Sequence, residues 1–196
     1  HYDSYSDFRR ALLNVSLKNN ASSYIGIKNS FQKASSNSDS DILHALWYDT
    51  THTVENFITP KNIEQLDKAI TLMMEASRIN LLGLRSSRTV SLYLESAIDR
   101  FYPHVRQLSN ESEFLYDKIF RLSAEEDIII IFSAWPCTKR TIDVSAICRD
   151  RHVPIILVTN TSLNPIARYA DIVIDTNSVN SGCGILPLMF IAEALT

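Results

Sequence analysis

In Asp127-Ile128-Ile129-Ile130-Ile131-Phe132, the five residues that follow the aspartate are an unbroken row of aliphatic and aromatic side chains. A strand with one wet face alternates apolar and polar residues, so a continuous apolar row marks a strand covered on both faces, as in a parallel sheet between two helical layers. Downstream, Pro154-Ile155-Ile156-Leu157-Val158-Thr159 and Asp171-Ile172-Val173-Ile174-Asp175 read the same way. Upstream, Ile79-Asn80-Leu81-Leu82-Gly83 and His104-Val105-Arg106-Gln107-Leu108 supply two more runs. The stretches between the runs are long enough for a helix. The pattern predicts a doubly wound α/β sandwich of three layers with about five parallel strands.

Ahead of the strands the period changes. Ile42, Leu43, Leu46, Trp47, Val54 and Phe57 lie broadly along one helical face, with Asp41 as the expected N-cap. A second helix is predicted to open at Thr59-Pro60, a capping residue followed by proline at the first helical position, with Ile63, Leu66, Ile70, Met73 and Met74 as its apolar stripe. The methionines read as core filling. Further back, Ala34-Ser35-Ser36-Asn37-Ser38-Asp39-Ser40-Asp41 has no apolar anchor and reads as a linker, preceded by the short amphipathic piece Asp7 to Leu13.

Composition narrows the function classes. With 45% apolar and 21% charged residues over 196 positions, the chain can bury an ordinary core. Its net charge of -3 gives no basic face for nucleic acid across the bulk of the chain. No apolar run approaches the roughly 20 residues of a membrane span, and no signal peptide is expected in the first residues. Cys137, Cys148 and Cys183 show no CxxC spacing and read as unpaired thiols in a reducing cytoplasm. The chain starts at His1 rather than methionine, as a fragment of a longer protein would.

Open parallel sheets bind ligands beyond the carboxyl ends of their strands. The first strand is followed by Gly83-Leu84-Arg85-Ser86-Ser87-Arg88-Thr89, the third by Ser133-Ala134-Trp135-Pro136-Cys137-Thr138-Lys139-Arg140-Thr141, and the fourth by Thr159-Asn160-Thr161-Ser162-Leu163-Asn164-Pro165. All are rich in hydroxyls, two carry cations, and each is expected to open a helix. Free N–H groups at a helix start, hydroxyl donors and nearby guanidinium or ammonium groups together suit an anion such as phosphate. Simple helix capping would explain the hydroxyls of any one loop equally well.

In order, the Gly83-Leu84-Arg85-Ser86-Ser87 loop, the Asp127 strand running into Ser133-x-x-x-x-Thr138, Val158-Thr159-Asn160 with Ser162-x-x-Pro165-Ile166-Ala167, and Ala170-Asp171-Ile172-Val173 resemble the SIS (sugar isomerase) domain, in particular that of RpiR-type transcription regulators. The resemblance covers roughly residues 68–196 and implies a flavodoxin-like fold that binds phosphorylated sugars. It places phosphate-gripping hydroxyls at Ser86, Ser87, Ser133 and Thr138, with Arg85 and Lys139 as added charge. Two positions depart from the family pattern: Arg85 stands where a second glycine is usual, and Trp135-Pro136 replace an inner Ser-Gly. A branch of the RpiR-type family with a Gly-Leu-Arg-Ser-Ser loop is similar in the first respect.

The resemblance also implies the domain plan. His1-Tyr2-Asp3-Ser4-Tyr5-Ser6-Asp7-Phe8-Arg9 is similar to the closing segment of the family's helix-turn-helix domain, so residues 1–17 are expected to be its tail, 18–67 a helical linker and 68–196 the SIS domain. DNA would then be read by a part mostly absent from this chain. A homodimer or higher homo-oligomer is implied, and the apolar last helix Ile185 to Ala192 is expected to serve core and interface together. Some SIS proteins are isomerases, which need a pocket base. No carboxylate falls in the expected pocket loops, and none of His1, His44, His52, His104 and His152 does either. No catalytic residue, metal ligand or cofactor site is therefore assigned. The expected function is the effector-sensing portion of a bacterial transcription regulator responding to a phosphorylated sugar, with a phosphosugar isomerase as the alternative.

Overall fold

A computed structural model describes residues 39–111, 113–179 and 184–196. The expected helix-turn-helix tail, the polar stretch up to residue 38 and Cys183 lie outside the described residues. Two helices, α1 (Asp39–Phe57) and α2 (Pro60–Glu75), precede β1 (Arg78–Gly83), α3 (Ser87–Ile98), β2 (Val105–Gln107), α4 (Leu115–Ile119), β3 (Asp127–Ser133), α5 (Lys139–Asp150), β4 (Ile155–Thr159), a 3-10 turn (Pro165–Arg168), β5 (Ile172–Asp175) and α6 (Leu186–Ala194). The sheet has five strands in the order β2-β1-β3-β4-β5, and every pair is parallel. This is the doubly wound arrangement expected from the sequence, with its order reversing between β1 and β3.

The continuous apolar rows are explained by two separate cores. Ile79, Leu81, Ile130, Phe132, Ile156 and Val158 face one layer, where α2, α3 and α6 contribute Ala69, Met73, Leu94 and Ile191. Leu82, Ile129, Ile131, Ile155 and Leu157 face the other, covered by Leu115 and Ile119 of α4 and Val144 and Cys148 of α5. Burial pushes the Cys148 thiol up to about 12, so it acts as a small apolar side chain.

Thr59 caps α2 as expected: its side chain accepts from the Asn62 N–H at 3.2 Å, and Pro60 takes the first position. Asp41 does not cap α1, because the helix already includes Asp39. The apolar faces of these two helices are only partly used. Phe57 is buried and meets Phe190 edge to face, and Met73 is buried, while Leu43, Trp47, Ile63 and Met74 stay exposed. Met74 is therefore not core filling. The expected boundary between residues 67 and 68 falls inside α2, whose Ala69 and Met73 are part of the sheet's own core.

At the opposite end from the loops that follow the strands, Arg78 grips Asp127 through both guanidinium arms at 2.9 and 2.7 Å, and Asn80 donates to Asp127 Oδ1 at 2.9 Å. Burial pushes the Asp127 carboxyl up. The bonds from Arg78, the Ser123 N–H and Asn80 outweigh it and hold the group at about 2. The cluster pins β1 to β3 at the start of both strands.

Candidate functional site

Gly83 is paired with Phe132 in the sheet, so the loops that follow β1 and β3 leave side by side. A Cβ on Gly83 would sit 2.3 Å from the Ser87 carbonyl oxygen. Only glycine lets the first turn of α3 fold this closely over the end of β1. Arg85 then adopts φ +57°, the left-handed conformation that favours glycine. The backbone shape of a glycine loop is thus kept while the side chain at its apex is a cation.

Ser87 is buried and its Oγ accepts from the Ala134 N–H at 3.3 Å, tying the first loop to the second. Arg85 and Ser86 are exposed, and Ser86 makes no side-chain cap bond to α3. In the second loop Thr138 caps α5, accepting from the Thr141 N–H at 3.2 Å and sharing a 2.8 Å hydroxyl contact with Thr141 Oγ1. The cleft between the loops is lined by Leu84 to Ser87 on one side and Phe132 to Thr138 on the other, with Thr141, Gly184 and Ile185 closing it. It encloses about 70 Å³, room for a small anion but well below the roughly 300 Å³ of a pocket that engulfs a whole small molecule.

Of the residues singled out in the sequence, Arg85, Ser86, Ser87, Ser133 and Thr138 all line this cleft. Lys139 does not; it is exposed on the first turn of α5. The third hydroxyl-rich stretch has a different part. It opens a 3-10 turn rather than an α-helix, and its amides hold the second loop from behind. Asn160 Oδ1 accepts from the Trp135 N–H at 2.7 Å, and Asn164 Nδ2 donates to the Ser133 carbonyl at 3.0 Å and to Thr159 Oγ1 at 3.1 Å. Thr141 and Cys137 also line the cleft and were not singled out. Thr141 follows Thr138 by one helical turn, a spacing that could have revealed it. Burial raises the Cys137 thiol above its ordinary value.

The lining residues carry hydroxyls, backbone N–H groups at two helix starts and one guanidinium, but no carboxylate or imidazole. Among the described residues no group of His, Cys, Asp and Glu is placed to hold a metal ion. Such a cleft can bind an anion by donation.

The model of the SIS domain matches residues 72–193. The chain belongs to the SIS domain family. A curated relative, an uncharacterised HTH-type transcriptional regulator of Thermotoga maritima, is 20% identical over 153 residues, which are 76% of this chain and 52% of that protein. The SIS chain thus spans about half the length of that relative. Among solved structures, the sugar isomerase domain of an RpiR transcription factor from Sphaerobacter thermophilus superposes with a TM-score of 0.68 at 21% identity, over 80% of this chain and 86% of that one. The NanR protein of Vibrio vulnificus, complexed with ManNAc-6P, superposes with a TM-score of 0.67 at 16% identity, over 99% of this SIS chain and 67% of that one. These likenesses establish the fold.

Proposed function

We propose that this SIS chain is the effector-sensing portion of a bacterial transcription regulator of the RpiR type, and that its effector is a phosphorylated sugar. The observation that carries the reading is the cleft where the strand order reverses: hydroxyls and helix-start N–H groups from two loops converge there, and among the described residues its lining carries no carboxylate or imidazole. The phosphate would sit among Ser86, Ser87, Ser133 and Thr138, with Arg85 over the mouth, and the sugar would extend outward from the small enclosed volume. The relationship to an HTH-type regulator supports a DNA-reading domain upstream, for which residues 1–17 would form the tail and 18–67 the linker to the SIS domain. Homodimerisation is part of the same reading. The exposed Leu43 and Trp47 of α1 and Met74 of α2, between 66% and 72% accessible, support a partner surface on these two helices. In a cytoplasmic regulator of this kind, effector binding changes operator affinity only through its different affinity for two arrangements of the dimer.

Thermal melts against a panel of phosphosugars test the reading. A matching phosphosugar raises the midpoint by mass action, and the Ser87→Ala/Thr138→Ala double variant stays folded yet loses most of that rise. Loss of the Thr138 cap alone lowers basal stability by about 1 kcal/mol, so each protein is compared with its own ligand-free melt. Unchanged midpoints with phosphosugars, free sugars and inorganic phosphate would overturn the sensor reading. Interconversion of aldose and ketose phosphates by this chain would replace it with the isomerase.

A further inference from the structure

The first loop of the cleft has a support that lies outside the cleft. Leu81 of β1 pairs with Gln107, the last residue of β2, so Gly83 falls opposite Ser109, two residues further on. In this ladder the Ile79 N–H donates to the His104 carbonyl at 3.1 Å. The same pattern carried to the end of β1 would send the Gly83 N–H to the Leu108 carbonyl. It goes instead to Ser109 Oγ, at 2.8 Å. A side-chain hydroxyl thus stands in for the next main-chain acceptor of a strand that has already ended.

That hydroxyl belongs to a relay. Ser109 Oγ lies 2.9 Å from Ser91 Oγ of α3, and Ser91 Oγ donates to the Arg88 carbonyl at 2.9 Å. The direction of the middle bond follows from its neighbours. A serine hydroxyl has one hydrogen. That of Ser91 is committed to Arg88, so the hydrogen between the two serines comes from Ser109. The relay therefore runs from the Gly83 N–H through Ser109 and Ser91 to the Arg88 carbonyl. Gly83 closes β1, and Arg88 lies in the first turn of α3 with its own N–H donating to the Arg85 carbonyl at 3.2 Å. One pair of hydroxyls thus ties together the two ends of residues 84–87, the part of the first loop that lines the cleft.

The relay is held firmly. Ser91 is fully buried and Ser109 half-buried. The Ser109 N–H donates to Gln107 Oε1 at 3.0 Å, and Gln107 Nε2 donates to Glu95 Oε2 of α3 at 3.4 Å. Ser109 itself does not line the cleft. Within the loop, Gly83 and Arg85 set the shape of the backbone; the relay sets how far apart its ends stand. That separation matters for an anion held by the loop's N–H groups and hydroxyls. Binding is tightest when such donors are in place beforehand, since ordering them at the moment of binding costs affinity.

We infer that Ser109 is a positioning residue for the strand-end cleft: through Ser91 it fixes the span of residues 84–87 and so raises the affinity of the cleft for a phosphate group that it does not touch. The inference rests on the reading of that cleft as a phosphate site. It adds a residue from the β2 end of the sheet to a site otherwise built from the loops after β1 and β3.

The test compares the full chain with its Ser109→Ala, Ser109→Thr and Ser109→Val variants. Threonine keeps the hydroxyl, and valine has the shape of threonine without it. Amide hydrogen exchange is measured without ligand, and the amide shifts of residues 84–87 are followed during titration with inorganic phosphate and with glucose 6-phosphate. In the alanine and valine variants the Gly83 amide should exchange at least about fivefold faster, the effect of one lost hydrogen bond, while residues 129–132 keep their protection. Affinity for the phosphate compounds should fall by about the same factor in those two variants and stay near the parent's in Ser109→Thr. A role in packing alone would follow side-chain volume and set alanine apart from both threonine and valine. Unchanged Gly83 exchange in Ser109→Ala, parental affinity in that variant, or like behaviour of the threonine and valine variants would each overturn the inference and leave the phosphate reading of the cleft standing. A parent chain that responds to neither compound would overturn that reading, and the inference with it.

Discussion

The two loops at the mouth of the cleft are held very differently. The loop after β1 is fixed by its backbone: Gly83 admits the close turn, Arg85 accepts a left-handed conformation, and Arg85 and Ser86 keep their side chains in solvent. The loop after β3 is fixed by side chains that reach it from elsewhere, with Asn160, Asn164 and Thr141 bonded to Trp135, Ser133 and Thr138. One loop presents unspent donors on a tight turn, and the other is a framework whose hydrogen-bonding capacity is partly consumed. A site for anions needs both kinds, because donors that reorganise on binding lose much of what they gain.

Three substitutions break or sharpen this contrast. Gly83→Ala strikes the backbone-held loop directly, because the new methyl meets a main-chain carbonyl that cannot move without shifting α3. A loss of about 3 kcal/mol is expected, read in chemical denaturation as a lower midpoint at unchanged slope. Asn164→Ala strikes the framework loop. It removes the donor to Ser133 and Thr159 and the acceptor for the Ile166 N–H, for an expected loss of about 2 kcal/mol. Hydrogen exchange should then quicken in residues 133–138 while residues 84–88 keep their protection. Arg85→Gly has the smallest effect and the opposite sign. Relief of the left-handed strain is offset by the freedom glycine has when unfolded, leaving stability unchanged or raised by up to about 1 kcal/mol. The same variant should bind phosphate esters less well. A clear fall in stability would show that Arg85 is part of the scaffold.

The fold was legible because it rests on one-dimensional signals. Ile128 to Phe132 is apolar on both faces, and Thr59-Pro60 announces a helix start in two residues. The loops were legible as chemistry but not as division of labour. Sequence marks Thr159 to Asn164 as hydroxyl- and amide-rich, like the other two strand ends. Only the packing of β4 beside β3 turns Asn160 and Asn164 towards the second loop instead of the cleft. Lys139 was selected by proximity in the chain, yet the first turn of α5 points it away from the lining. The exposed faces of α1 and α2 were invisible as such, since an apolar stripe reads the same whether its cover comes from its own chain or from another.

The pairing of Gly83 with Phe132 sets one limit on how any molecule in the cleft can be felt elsewhere. Both loops are rooted in adjacent strands locked at their far ends by Arg78, Asn80 and Asp127, so the floor beneath a bound molecule behaves as an anvil. Whatever gives must lie above it. The free route is outward along α3, whose Tyr93 bonds Glu193 of α6, and from Phe190 of α6 to Phe57 at the end of α1. A push at the mouth of the cleft would be delivered to α6 and the end of α1, while the sheet stays still.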